Sequence, residues 1–325
     1  MPNRLIRNTA ILLKVEGTYA IDPTPTGAAN AMLVSNLSIN PMNSQNVDRD
    51  LIRPFLGGSE QLLGTRYVEM GFDIEMAGSG TVATAPDWAP ALLACGFAEL
   101  LTAVVRADYL PVSTANASAT IYWYDDGVFH KATGCRGTVA IKLNVGERPV
   151  LSFKFTGLYS TPTAAGSPAV TLSRFRTPQV VTDVNTQDVT FGATHALATA
   201  PLLVAGTLYP SQGIELDIGN SVSFNALLGG ETVDLTQRDV TGKVTFDLTA
   251  AQEVALITSA EAGTLQSVGI SHGTVANNKV LLWMPAVQLV NPAKAEVNGK
   301  RLVSFDLRAL PVAGNDEFRL VTSFT

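Results

Sequence analysis

Tyr67-Val68-Glu69-Met70-Gly71-Phe72-Asp73-Ile74-Glu75-Met76 alternates between two chemistries. Val68, Met70, Phe72, Ile74 and Met76 point one way; Tyr67, Glu69, Gly71, Asp73 and Glu75 point the other. A period of two puts successive side chains on opposite faces, so the stretch predicts a half-buried strand. The pattern recurs. Val139, Ile141, Leu143 and Val145 alternate with Ala140, Lys142 and Asn144, and Leu151, Phe153 and Phe155 alternate with Ser152, Lys154 and Thr156. In the second half Val240, Gly242, Val244, Phe246 and Leu248 alternate with Thr241, Lys243, Thr245 and Asp247. Val303, Phe305, Leu307 and Ala309 alternate with Ser304, Asp306 and Arg308. Such one-sided alternation implies antiparallel sheets with one wet or partner-facing side. The fold class is mainly β.

Turn residues separate the runs. Asn298-Gly299 predicts a type I′ hairpin, and Gly146-Glu147 sits in the matching place upstream. Two short helices are expected. Asp87 can cap one from Trp88 to about Cys95, ended by Gly96. Thr249 and Gln252 form a capping box for another that runs to about Ala262. Ser160 to Pro178 is rich in Thr, Ala, Pro, Gly and Ser and reads as a linker.

The landmarks repeat. Leu56-Gly57-Gly58, Arg66, Val68 and Phe72-Asp73-Ile74 are followed by the first helix. Leu228-Gly229-Gly230, Arg238, Val240 and Phe246-Asp247-Leu248 are followed by the second. Arg148-Pro149-Val150-Leu151-Ser152-Phe153 closes one half and Lys300-Arg301-Leu302-Val303-Ser304-Phe305 the other. The expectation is two tandem β-rich units, residues 1–170 and 171–325, each with one short helix. The first is longer between helix and closing strand, a difference assigned to Ile121-Tyr122-Trp123-Tyr124 and the turn Asp125-Asp126-Gly127.

Composition narrows the function. The 325 residues are 46% hydrophobic and 15% charged, enough apolar content for a real core. The net charge is -6, without any run of Lys or Arg, which is unlike a protein that grips nucleic acid. The two cysteines, Cys95 and Cys135, are too few for a disulfide scaffold and read as free thiols of a reducing compartment. Lys14 and Glu16 interrupt the apolar Ile11-Leu12-Leu13, so no signal-peptide core forms. No stretch approaches the roughly 20 apolar residues of a membrane helix. His130, His195 and His272 are isolated, with no metal spacing, nucleophile elbow or phosphate loop. Gly78-Ser79-Gly80 reads as a plain turn. No catalytic residue, metal or cofactor is expected.

The segment Asn46 to Arg66 stands out as a long loop between two strands. Its Leu51, Ile52, Phe55 and Leu56 would expose a greasy patch unless a neighbour covers them. With Arg49 and Arg53 they are the candidate contacts between subunits.

The arrangement resembles the major tail tube proteins of long-tailed, non-contractile bacteriophages. The resemblance rests on Lys14-Val15-Glu16-Gly17-Thr18-Tyr19 with Asp22-Pro23-Thr24-Pro25, and on the long loop with Leu56-Gly57-Gly58. It also rests on Gly134-Cys135-Arg136-Gly137-Thr138 and the strand Ser152-Phe153-Lys154-Phe155-Thr156-Gly157. It covers most of the chain and implies tail-tube-like β-sandwich or open-barrel domains in stacked rings of six, lining a channel for DNA. A long loop would reach the adjacent ring. That role falls to Asn46–Arg66, with Asn225–Arg238 as a shorter counterpart. Two domains per chain imply homotrimeric rings of pseudo-six-fold symmetry, with a homohexamer as the alternative. Implied partners are tape-measure, terminator and baseplate proteins, in a virion tail assembled in the host cytoplasm. DNA passes without specific binding and no membrane is involved. An acidic or neutral wall would let DNA slide, and Glu69, Asp73, Glu75 and Asp247 are the lumen-facing candidates. Competing readings are a tail terminator or baseplate ring protein, and an extracellular carbohydrate-binding β-sandwich with Trp123 as a platform.

Overall fold

A computed structural model describes residues 4–192, 194–196, 202–204 and 206–325. The chain begins with β1 (Thr9–Val15), a four-residue helix α1 (Gly27–Asn30) and β2 (Ala31–Met32). A long hairpin follows, β3 (Ser35–Val47) and β4 (Leu62–Glu75), then helix α2 (Ala89–Leu93). Next come the hairpin β5 (Phe97–Thr102) and β6 (Arg106–Pro111), and the meander β7 (Ala119–Asp125), β8 (Val128–Asn144) and β9 (Val150–Tyr159). Short strands β10 (Thr163–Ala164), β11 (Val189–Phe191), β12 (Thr194–Ala196), β13 (Leu202–Val204) and β14 (Thr207–Tyr209) lead to β15 (Ser211–Asp217). A second hairpin, β16 (Asn220–Leu227) and β17 (Gly230–Arg238), precedes β18 (Thr241–Phe246) and helix α3 (Ala250–Glu261). The chain continues through β19 (Leu265–His272), β20 (Val280–Val297), β21 (Lys300–Leu310) and β22 (Arg319–Thr322).

Among the described residues all strand pairings are antiparallel. β3, β4, β9 and β8 lie side by side in that order, and so do β15, β18, β21 and β20. β8 also pairs with β15, which joins the two runs into one continuous sheet. Strands β2, β1 and β7 extend from the first half of β8 as a second layer. Strands β14, β11 and β19 extend in the same way from the first half of β20. β8 and β20 serve two layers because each bends at a register shift, at Thr133/Arg136 and Val290/Ala293.

The alternation read from the sequence sets the core. Val68, Met70, Phe72 and Ile74 of β4 are buried, as are Val139, Ile141 and Leu143, Phe153 and Phe155, Val244 and Phe246, and Phe305 and Leu307. One apolar cluster takes in residues of both halves, with Phe97 edge-on to Phe318 at 6.0 Å. The halves are stitched as well as packed. β22 pairs with β20 on one side and β6 on the other. Under that junction the wholly buried Asp108 accepts from Arg106 Nε at 2.7 Å and Arg319 Nε at 3.2 Å.

Local expectations met mixed outcomes. The Asn298-Gly299 turn has positive φ at both residues, 51° and 78°, as a type I′ turn requires. Helix α3 has its capping box: Gln252 N donates to Thr249 Oγ1, and Thr249 N to Gln252 Oε1. Asp87, by contrast, does not cap α2. Trp88 occupies the cap position without a side-chain bond, because its ring is buried and its Nε1 donates to Ala77 O at 2.8 Å. Asp87 instead pairs with Arg174 at 3.2 Å. The short helix α1 had no signal in the sequence. The Ser160–Pro178 segment is irregular apart from β10, yet it is not a free tether: Thr171 N donates to Gly27 O at 3.0 Å.

Candidate assembly surfaces

The Asn46–Arg66 segment is less a loop than the end of a hairpin. Asn46 pairs with Leu63 and Val47 with Leu62, so only residues 48–61 are unpaired. Arg49 forms an ion pair with Glu60, and Gln61 Nε2 donates to Asp48 Oδ1 at 2.6 Å, which ties the base of the tip. Above that base the apolar side chains have nothing to cover them. Ile52 and Leu56 are fully exposed, Phe55 is 65% exposed and Leu51 44%. Arg53 is half-buried. Val47, Leu62 and Leu63 extend the exposed apolar surface down the hairpin, a set the sequence reading missed because they belong to strands. Exposed apolar surface on this scale marks a contact that one chain alone does not satisfy.

The Asn225–Arg238 segment, expected to be a loop, is also a hairpin. Asn220 pairs with Arg238 and Leu227 with Gly230, leaving Leu227 and Leu228 exposed at the tip. This hairpin lies on the first half of its own chain. Phe224 stacks on Tyr67 at 5.0 Å. Arg136 Nη1 donates to Val233 O at 2.7 Å and to Asp234 Oδ1 at 3.1 Å. Val233 N donates to the Tyr19 hydroxyl at 2.6 Å, and the Arg136 guanidinium sits 4.9 Å above the Tyr19 ring. Burial pushes the Tyr19 phenol above its ordinary value. The Asn225 amide, helped by Thr232 and Arg136, holds the Asp234 carboxyl below its own. At the hairpin's root Asn220 Nδ2 donates to Cys95 O at 2.7 Å and Gly137 O at 3.1 Å.

Glu69, Asp73 and Glu75 share the face of β4 that turns away from the core, and Asp247 follows β18 on the corresponding face. Each carboxylate is tethered. Glu69 accepts from Asn43 at 2.8 Å, Asp73 from Asn36 at 2.6 Å, Glu75 from Arg148 at 2.8 Å and Asp247 from Lys300 at 3.1 Å. The face is not simply acidic. Along one row of the continuous sheet Lys142 stands opposite Glu215, Glu215 opposite Lys243, and Lys243 opposite Asp306. Opposite charges in directly facing positions stabilise a sheet by roughly 0.2–1 kcal/mol each. A hollow of about 540 Å³ over β8, β15, β18 and β21 makes this face locally concave. Sequence alternation placed Glu69, Asp73, Glu75, Asp247, Lys142, Lys243 and Asp306 on a wet face, but Glu215 lies in a stretch where no alternation was read. The row itself depends on the β8–β15 register, which no local pattern encodes.

The remaining candidates carry structure. His272 Nδ1 lies 2.8 Å from Thr186 Oγ1 and its Nε2 3.1 Å from Gln179 O, and burial pushes its pKa down. His130 stacks on Trp123 at 4.7 Å, so Trp123 is a core ring and not an exposed platform. The His195 side chain lies outside the described residues. Cys95 and Cys135 are free and buried, and burial raises both thiols. Among the described residues no group of three or more His, Cys, Asp or Glu is placed to hold a metal, and no helix is long and apolar enough to cross a membrane.

At both hairpin tips of this β-rich chain apolar side chains are left exposed by its own fold. Residues 6–313 match the family described as phage tail tube protein, and the chain belongs to that family. No curated protein matches it. Its function is structural: it is a component of a bacteriophage tail and assembles into the tail tube.

Proposed function

We propose that the chain carries two tube units, residues 1–170 and 171–325, and that three chains close a ring of pseudo-six-fold symmetry in the tail of a long-tailed, non-contractile phage. The observation that carries this reading is the β8–β15 ladder, where one half meets the other edge to edge. The pairing order supports a duplicated unit. In the first half the sequence of paired strands is β2-β1-β7-β8-β9-β4-β3; in the second it is β14-β11-β19-β20-β21-β18-β15. In this matching β7, which holds Ile121–Tyr124, has β19 as its counterpart. The extra piece of the first half is then the β5–β6 hairpin.

A head-to-tail joint of this kind is heterologous, and its repetition makes a ring when the rotation closes. The alternating wet face, with Glu69, Asp73, Glu75 and Asp247, would line the channel. Its carboxylates repel phosphates and its lysines face carboxylates, so DNA passes without being held. The tip with Arg49, Leu51, Ile52, Arg53, Phe55 and Leu56 would reach the adjacent ring. Tape-measure, terminator and baseplate proteins would meet the tube, which assembles in the host cytoplasm. Electron microscopy of tubes grown from the purified chain tests the reading. End-on averages should show rings of three two-lobed chains. Six chains per ring would overturn the trimer, and absence of tubes at every concentration would overturn assembly by strand edges.

A further inference from the structure

We infer that the chain–chain joint is an antiparallel pairing of Ser38–Asn40 in β3 with Ala295–Val297 in β20 of a second copy of this chain, guarded by Pro41 and Pro292. The inference rests on the ring reading above and specifies its interface. Both edges are open. Among the described residues β3 pairs only with β4, and the second half of β20 only with β21. Asn40, Pro41 and Asn291 to Lys294 are exposed.

The internal joint supplies the register. There Gly213, Ile214, Glu215, Leu216 and Asp217 face Asn144, Leu143, Lys142, Ile141 and Ala140. Ile214 stands opposite Val244, two residues before Phe246; Ile39 stands opposite Met70, two residues before Phe72. Ala140 stands opposite Ser152, and Ala293 opposite Ser304, each serine preceding a phenylalanine. Transferring the internal register sets Ser38 against Val297, Ile39 against Glu296 and Asn40 against Ala295.

The same transfer gives the prolines a role. Ile218 N donates to Val139 O at 3.1 Å and Val145 N donates to Gln212 O at 3.0 Å, so the even-numbered residues of this stretch of β15 turn their backbone groups toward β8. Leu216 is one of them. In β3 its place is taken by Pro41 and Met42, a two-residue bulge opposite Val68. In β20 Pro292 immediately precedes Ala293, at the place of Val139. Proline has no N–H to donate, so at Pro41 the β3 edge lacks the donor that Leu216 turns toward β8, while Pro292 takes the place of a residue that accepts, from Ile218 N. Neither β8 nor β15 contains proline. Prolines and bulges on edges discourage strand addition, and here they stand on two edges that meet no further strand among the described residues.

The register is tested with Asn40→Cys and Ala295→Cys together in the full chain, oxidised after tube growth; the native Cys95 and Cys135 are buried. A covalent ladder that ends at the trimer is expected. Intact tubes without cross-links would overturn the joint while leaving ring assembly standing. Failure of the parent chain to form tubes would overturn the ring reading and the joint with it. The guard is tested with Pro41→Val and, separately, Pro292→Val. Pro41→Val should lower the concentration at which tubes appear by about fivefold, the worth of one net hydrogen bond, and Pro292→Val should lower it by less. An unchanged or raised threshold in both variants would overturn the guard.

Discussion

Replacing Ile52 and Leu56 by serine separates folding from assembly. Both side chains are fully exposed at the end of the β3–β4 hairpin and contribute nothing to the core of their own chain. Surface substitutions of this kind change stability by less than about 0.5 kcal/mol, so the melting temperature of the unassembled chain should not move. If a neighbouring chain covers the tip, each side chain gains roughly 1.5–3 kcal/mol on burial. Covering is seldom complete at interfaces, so the lower bound is the sounder figure, about 3 kcal/mol for the pair. At 1.4 kcal/mol per factor of ten, that raises the concentration needed for tube growth about a hundredfold. The assay is light scattering across a dilution series, with thermal unfolding measured on the same samples. Tube growth at the parent's concentration would refute the role of the tip. A drop of several degrees in the melting temperature would show that the tip packs within its own chain.

Asp108→Ala should destabilise the chain by about 3–5 kcal/mol, because it takes the shared carboxylate from two buried guanidinium groups. With unfolding entropy near 2.1 cal/mol/K per residue, that is a fall of about 4–7 °C in a calorimetric scan; a fall under 1 °C would refute it. Gly213→Ala should break the internal joint. Its φ is +117°, and an added Cβ would lie 1.9 Å from Leu143 O, so a loss of at least about 2 kcal/mol and faster proteolysis within Ser160–Pro178 are expected. The pH dependence follows from His272, whose folded pKa lies below the ordinary 6.5. Below pH 6.5 the unfolded chain binds the proton first, so its share of stability is intact above that pH and is lost as the pH falls. His272→Gln should flatten the decline in melting temperature between pH 7 and 5, leaving the part that His130 contributes in the same direction. An unchanged slope would exclude His272 as its source.

Much of this architecture was readable because it is written in short-range patterns. Period-two alternation named the buried face of β4, β8, β9, β18 and β21, and Asn298-Gly299 and Thr249–Gln252 named a turn and a cap. Where a local signal competed with burial it failed. Asp87 is a good capping residue, but Trp88 is drawn into the core and takes the cap position with it. Hairpins were missed where their strands lack a wet–dry alternation. Asn46–Val47 and Leu62–Arg66 project beyond the core, so nothing selects apolar residues for one face only. The β16–β17 hairpin packs on the other half of the chain, and Tyr67, Tyr19 and Arg136 that receive it lie far away in sequence. Registers between distant strands, and with them the charge row from Lys142 to Asp306, are fixed by the way β8 meets β15, which is a tertiary choice.

If one chain carries two units, as proposed, its internal joint and the joints between chains differ in what they must do. The internal joint forms at the high effective concentration of a tethered pair, so its association entropy is met once, on folding. It can be tight, and its proline-free edges, facing Lys142–Glu215 pair and close-packed Gly213 make it so. The proposed joint between chains pays that entropy each time and forms across edges that each carry a proline. An open pair of chains would have one such joint and two bare edges; a closed trimer has three joints and none. The third chain therefore forms two joints for the translational cost of one association. Weak joints then favour complete rings over fragments, whereas strong ones would trap partial arcs. On this reasoning Pro41 and Pro292 do not oppose the assembly of the tube. They keep its edges reversible until a ring can close.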